Sequence, residues 1–379
     1  MKKLLLSALV IAGFVTSACA QEAKSETELP PGWWLLPKTN IQFKIGGYVK
    51  LDLIHDFNPI ASPDFFDVSK IPTDGSKGQS THLNAKESRV FFDVKAPTKV
   101  GEIRTYIEGD FYGSGGSFRL RHAFVDINNK WLFGQWWSNF MDESIIPNTL
   151  DFEKPAAYAF ARHPMVRYKQ SFSPDVYLAL AIEEPSTNAQ APDEPGKFES
   201  PMPDITARFR VTKPWGHVQL STFVGKLVYR ETAGPTDDVM IYGGNLSGQF
   251  NIMKQKDKLI YQIVFGPGVG RYRGGVSAAT DGDGNLEALR EAGVTVGLEH
   301  RWNAAFSSLV VYNFGRVDNE LGQPLTSIQN TDYFAANLLW HFTDKAFAGV
   351  EYLWGLRKDF SEEEGTANRL QFSVKYAFN

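Results

Sequence analysis

The stretch Gly101 to Phe140, GEIRTYIEGDFYGSGGSFRLRHAFVDINNKWLFGQWWSNF, decides the fold. From Ile103 to Phe111 every second residue is apolar or small (Ile103, Thr105, Ile107, Gly109, Phe111), and Arg104, Tyr106, Glu108 and Asp110 stand between them. Period two marks a strand with one oily and one polar face. The turn Gly113-Ser114-Gly115-Gly116 reverses the chain, and the next run sets Phe118 and Leu120 against Arg119 and Arg121. Two neighbouring strands therefore carry arginines on one side. The alternation lapses at His122-Ala123, where a bulge or a change of facing is expected.

Outward from this hairpin, both ends of the chain point to the same class. Residues 2–20 combine Lys2 and Lys3, an apolar run and the small-x-small site Ala18-Cys19-Ala20, the pattern of a secretory signal cleaved before Gln21. Cleavage removes Cys19, the single cysteine, and moves the formal charge from −4 to −4 − 2 = −6. A tail, 21–40, follows. At the other end, Leu370, Phe372, Val374, Tyr376 and Phe378 alternate with Arg369, Gln371, Ser373 and Lys375. Past the signal, no apolar run approaches the ~20 residues of a spanning helix. Aromatics make up 13% of the chain and there are 33 glycines. Exported, aromatic-rich and built of alternating segments, the sequence reads as an all-β transmembrane antiparallel barrel of the bacterial outer membrane. The rival is a large periplasmic sandwich or propeller, which has little reason to end on five alternating apolar residues.

Sixteen candidate strands follow, near 41–54, 82–95, 100–112, 117–127, 130–137, 164–172, 175–183, 204–213, 216–227, 240–252, 258–271, 291–302, 304–316, 332–342, 345–356 and 368–378. An even count closes an antiparallel barrel without a free edge, and sixteen strands leave an aqueous channel. The barrel is thus expected over 41–379. Short turns alternate with long loops near 55–81, 138–163, 184–203, 228–239, 272–290, 317–331 and 357–367.

In such a barrel a Lys or Arg on the lipid face near the midplane costs roughly 2–4 kcal/mol, so strands carrying several turn them inward. The polar face then carries Arg104, Arg119 and Arg121, Arg167 and Lys169, and Arg208 and Arg210, while acids crowd the presumed loops. Two readings compete: mixed charges that merely keep a wet lumen solvated, or a basic ladder that selects anions and hands them along. Arg forks match carboxylates in a bidentate manner, which favours small carboxylates and dicarboxylates over sugars.

The chain also resembles the DcaP-like porins of Gram-negative outer membranes. The resemblance lies in Gly46-Gly47-Tyr48-Val49-Lys50-Leu51-Asp52, Glu87-Ser88-Arg89, Tyr106-Ile107-Glu108-Gly109-Asp110-Phe111, Phe118-Arg119-Leu120-Arg121-His122-Ala123 and Gly134-Gln135-Trp136-Trp137-Ser138-Asn139-Phe140-Met141-Asp142, and it continues through Leu150-Asp151-Phe152 and Arg162 to Tyr168. It implies a homotrimeric barrel passing small anionic solutes, dicarboxylates among them. Arg89, Arg104, Arg119, Arg121 and Arg167 would be channel residues by position. The loop Ser138 to Ala161, with Asp142 and Glu143, would fold inward as a constriction. The tail here is too short for the long helical extension of some relatives.

Passive diffusion uses no cofactor, metal or nucleic-acid partner, and membrane lipid is the surrounding medium. Asp281-Gly282-Asp283-Gly284-Asn285 begins like a calcium loop but lacks the later glycine and the bidentate Glu, so it reads as a turn. The histidines form no HxxxH or HExxH. Two other classes stay open: a barrel hydrolase, for which Ser138 and Ser307 are isolated candidates lacking an evident triad, and an adhesin or structural barrel whose lumen is irrelevant.

Overall fold

A computed structural model describes residues 29–190, 196–232, 236–253, 256–283 and 285–378. The expected signal 2–20 and residues 21–28 of the expected tail lie outside these residues. Sixteen strands form the wall. They are β1 (Gln42–Asp56), β2 (Ser80–Asn84 and Arg89–Thr98), β3 (Gly101–Asp110), β4 (Arg119–Ile127), β5 (Trp131–Trp137), β6 (Arg162–Ser173), β7 (Val176–Glu183) and β8 (Asp204–Lys213). The second half is β9 (Gly216–Glu231), β10 (Thr236–Ile252), β11 (Asp257–Pro267), β12 (Arg290–Arg301), β13 (Phe306–Asp318), β14 (Ile328–Thr343), β15 (Ala346–Asp359) and β16 (Glu364–Phe378). Each strand pairs antiparallel with the next, and β1 pairs with β16 from Gly47↔Phe378 to Asp56↔Arg369, which closes the barrel. Closure removes the unpaired edge that lipid cannot solvate.

Alternation sets the two faces. On β16, Phe372, Val374 and Tyr376 are exposed outward while Arg369, Gln371 and Ser373 are buried inside. On β8, Phe209 is exposed between the inward Arg208 and Arg210. Trp215, Phe250, Trp302, Phe306, Trp340 and Phe342 are exposed at the short-turn end, an aromatic girdle at the membrane interface.

Several expected boundaries change. Strand β2 is interrupted at Ala85–Ser88, four residues opposite three of β1, and the bulge swings Glu87 to the Tyr48 hydroxyl (3.0 Å) and Lys50 Nζ (2.5 Å). Strand β11 ends at Pro267 rather than running to 271, because Gly268 (φ 86°) turns the chain into a short 3-10 helix, Val269–Tyr272. Strand pairing reaches into both ends of the expected long loops 228–239, 317–331 and 357–367: Arg230↔Thr236, Arg316↔Asn330 and Lys358↔Glu364 still pair. Past the bilayer, outward positions need not be apolar, so the ladder continues after the hydropathy pattern has ended. The tail is not separate from the barrel either: Trp34 and Leu35 pair with Phe43 and Gln42 of β1.

Loops 57–79 and 138–161 enter the lumen. Residues 57–79 bring Phe66, Val68 and Ile71 onto the inward Leu309, Val311, Tyr333 and Leu353. Residues 138–161 bring Phe140, Met141 and Tyr158 onto Phe223, Ile260, Val264 and Tyr272.

Candidate functional site

Loop 138–161 is held to the wall on its far side by polar groups aimed at its backbone. Leaving β5, it meets Glu183 of β7, which accepts from Ser138 Oγ and the Asn139 amide (both 2.7 Å). Arg208 of β8 donates to the carbonyls of Ser138 (2.9 Å), Asn139 (3.0 Å) and Met141 (2.8 Å). Gln219, Ser221 and Asn245 donate to the carbonyls of Met141 and Phe140. Farther round, Glu351 accepts the amides of Leu150 and Asp151 (2.8 Å each), and Asn337 donates to the Asn148 carbonyl (2.9 Å). Asn313 and Gln262 accept the returning amides of Ala157 and Ala159. A segment whose only regular structure among the described residues is the 3-10 turn Glu143–Ile145 can sit inside a barrel only if its peptide groups are partnered in this way.

The acids of this loop serve the same end. Asp142 is fully buried and accepts from His217 Nε2 (2.7 Å), Arg210 Nη1 (3.1 Å) and the Ser144 amide (3.1 Å). Burial alone pushes its carboxyl up, but these hydrogen bonds and the nearby cations hold it well below the usual carboxylate range. Glu143 pairs with Arg208 at 3.2 Å. Arg208 and Arg210, placed on the pore face by the sequence, do face inward, but the loop covers Arg208 to 2% exposure. Arg208 is a tether beneath the loop, not an open lumen cation.

On the opposite wall, β2–β4, each arginine meets a carboxylate. Arg104 holds Asp93 through two bonds (2.9 and 2.8 Å), and Arg119 holds Asp110 in the same way. Arg121 bridges Glu108 (2.8 Å) and Asp110 (2.9 Å), and Arg89 stands 3.5 Å from Glu108. The disturbed register on β4 lies at Arg121, one residue before the expected site: Glu108 faces His122 while Gly109 faces Leu120. The bulge turns both Arg121 and His122 inward. Arg167 has no carboxylate within 4 Å among the described residues, and Lys169 bonds Asn129 at the turn end (2.7 Å).

Between this wall and the loop lies a cavity of about 220 Å³. Five cations line it: Lys50, Arg89, Arg121, Lys154 and Lys375. Three are committed to acids, Lys50 to Glu87 and Asp52 (3.2 Å), Arg89 and Arg121 as above. Lys154 and Lys375 are not. Among the described residues Lys154 Nζ bonds Thr149 Oγ1 (2.8 Å) and, weakly, the Pro147 carbonyl, and Lys375 Nζ sits 3.9 Å from the Tyr48 ring centroid. Neither has an ion-pair partner within 4 Å among the described residues. Lys154 and Phe160 also line a larger vestibule of about 740 Å³ on the long-loop side, so they mark the passage from one space to the other.

The sequence reading missed both lysines, although Lys375 stood on the polar face of the C-terminal strand. It also missed Arg162, whose Nη1 is buried without a partner and whose guanidinium lies 5.1 Å from the Trp137 ring. Of the candidate hydrolase serines, Ser307 bonds His341 (2.7 Å) with no carboxylate bonded to that histidine among the described residues, and Ser138 bonds Glu183 without a histidine. Asp281 accepts the amides of Asp283 and Asn285 in a turn.

Comparison with known proteins agrees with this architecture. The outer membrane channel DcaP of Acinetobacter baumannii superposes with a TM-score of 0.82 at 23% identity, covering 91% of this chain and 99% of that one. The anion-selective porin from Comamonas acidovorans gives 0.58 at 9% identity (89% and 100% covered), and outer-membrane expressed OmpT of Vibrio cholerae 0.58 at 11% (91% and 100%). At these identities the likeness speaks for the fold. No curated protein matches the chain. The model of the DcaP outer membrane protein family, however, matches residues 19–378. This closed barrel of the bacterial outer membrane therefore belongs to the DcaP outer membrane protein family.

Proposed function

We propose that the barrel is a porin for passive diffusion of small anions, dicarboxylates among them, through the passage between loop 138–161 and the β1–β4 wall. The observation that carries this reading is the pair of uncommitted ammonium groups, Lys154 and Lys375, on one 220 Å³ cavity. Two separate cations match the two ends of a dianion. The paired arginines around them supply a polar, positively edged wall along which a carboxylate exchanges partners instead of sticking. No bond chemistry is required.

The wall also favours an assembly. Strands β5 and β7 have 7 and 8 residues, fewer than the ~9–11 of a strand that spans the hydrocarbon core. On β3–β5 the outward residues Ile107, Leu120, Val125, Trp131 and Phe133 are apolar and exposed. A short, apolar section of wall is served better by protein than by lipid, and a homotrimer closing around β3–β5 supplies that contact.

The test is the reversal potential of purified protein in a planar bilayer under a KCl gradient, repeated with succinate on one side. Chloride preference with succinate-dependent block supports an anion porin. Cation preference refutes it, and absence of conductance returns the weight to an adhesin or a hydrolase.

A further inference from the structure

We infer that Glu153 is a proton-operated selectivity switch for this passage: ionised, it screens Lys154 and repels arriving anions, and neutral, it releases Lys154 to capture them. The inference rests on the anion reading above and adds a regulation to that site. Glu153 adjoins Lys154 on the inner limb of the loop, is half-buried, and lines the 740 Å³ vestibule that an external solute crosses first.

The surroundings of Glu153 favour its neutral form. Its amide donates to Asp151 Oδ1 (2.9 Å), so that carboxylate lies on its own turn. From loop 57–79, Asp67 lines the same cavity and holds Ser69. The cations that face it are occupied or distant. Arg369 of β16 is spent on Asp151 and Asp56, and Arg357 of β15 on Asp359. Arg273 is bound to Glu291 of β12 at 3.1 Å. Lys70 lines the vestibule, and no Lys, Arg or His lies within 4 Å of the Glu153 carboxyl among the described residues. The buried Tyr333 of β14 packs against Phe66 of loop 57–79. Burial first, then Asp67 and Asp151, push the Glu153 carboxyl up to about 7. The opposing Lys154 is itself pulled down by burial, so it does not restore a strong ion pair.

The experiment is the chloride-to-potassium permeability ratio in planar bilayers from pH 5.5 to 8.5, for the natural chain and for Glu153→Gln, Asp67→Asn and Glu291→Gln. The natural channel becomes more anion-selective as pH falls, by about two- to tenfold, the effect of one charge at a screened mouth. Glu153→Gln stays near the low-pH value throughout. Asp67→Asn moves the midpoint to lower pH, because one repelling charge is gone. Glu291→Gln removes the other vestibule carboxylate whose pKa burial raises, but one whose charge Arg273 offsets, and so leaves most of the dependence in place. A flat natural profile, a dependence that survives in Glu153→Gln, or one lost instead in Glu291→Gln overturns the switch. A channel that prefers cations at every pH but still shifts toward anions in Glu153→Gln keeps the switch and refutes the anion porin.

Discussion

Replacing Lys154 and Lys375 by Gln, singly and together, tests whether uncommitted cations, and not the arginine rows, bind the solute. Both ammonium groups face the 220 Å³ cavity without a carboxylate within 4 Å among the described residues. A carboxylate at ~4 Å from one of them gains up to about 4 kcal/mol of Coulomb energy at an effective dielectric near 20, before desolvation. Net of desolvation, a hydrogen bond to a charged group is worth about 1.5–3 kcal/mol. At 1.4 kcal/mol per decade, each single substitution therefore raises the succinate concentration for half-block of the current roughly 10- to 150-fold. Acetate, with one carboxylate, loses affinity on one substitution and little more on the second, whereas succinate loses on both. Arg119→Gln is the contrasting case. Its Nε and Nη2 are already on Asp110, which Arg121 also holds, so the shift is at most a fewfold. The assay is block of KCl current by titrated succinate and acetate in planar bilayers. Succinate block within threefold of the natural channel in both lysine variants, or a larger loss in Arg119→Gln, refutes the reasoning.

Other perturbations separate the loop from the wall. Arg208→Gln removes three bonds to loop carbonyls and leaves Glu143 without its partner. Breaking a buried charged tether costs about 3–5 kcal/mol, so the variant shows a larger and noisier single-channel conductance; an unchanged conductance would mean that the remaining tethers suffice. Phe209→Arg puts a charge on the lipid face of β8 at a cost of roughly 2–4 kcal/mol, seen as a lower yield of heat-modifiable folded barrel on gels. Asp142, held well below the usual carboxylate range, contributes stability that is present above the unfolded value near 4 and is lost only as pH falls through the lower folded value. The quiet single-channel KCl conductance should therefore persist at pH 4 in the natural chain and become noisier in Asp142→Asn.

Faces were legible because period two is local. Arg104, Tyr106, Glu108 and Asp110 could be put on the lumen side without knowing a neighbour, and in the barrel they lie there. Pairings were not legible, because they depend on register. That Arg119 would spend two of its nitrogens on Asp110, or that a bulge at Arg121 would let one guanidinium reach both Glu108 and Asp110, follows only from which residues stand opposite across β3 and β4. Reading each arginine as an available cation therefore overstated the ladder. Lys154 escaped notice because a loop has no period to assign it a side, and Glu87, though quoted within a motif, received no role because its position depends on the interruption of β2.

The lumen is divided by chemistry in a way that explains why the passage runs where it does. Along β9–β16 the inward positions include Gln219, Ser221, Asn245, Gln262, Asn313, Asn337 and Gln371, uncharged groups that suit the neutral peptide donors and acceptors of an incoming loop. Along β1–β4 they are Lys50, Arg89, Arg104, Arg119 and Arg121 with their acids, which among the described residues bind no backbone of loop 138–161 except where Lys50 meets the Leu150 carbonyl. A loop seeking partners for its peptide groups settles where amides stand beside Arg208, Glu183 and Glu351, since the β1–β4 ions are already paired and pressing a loop against them would strip their water without neutralising them. What remains open is the charged half. The same preference that docks the loop thus leaves the ion pairs of that wall facing water, and exchanging Gln262 and Asn313 for leucines, which cannot accept the Ala159 and Ala157 amides, should free the returning limb, raise conductance and, because Lys154 rides at the start of that limb, lower the anion preference.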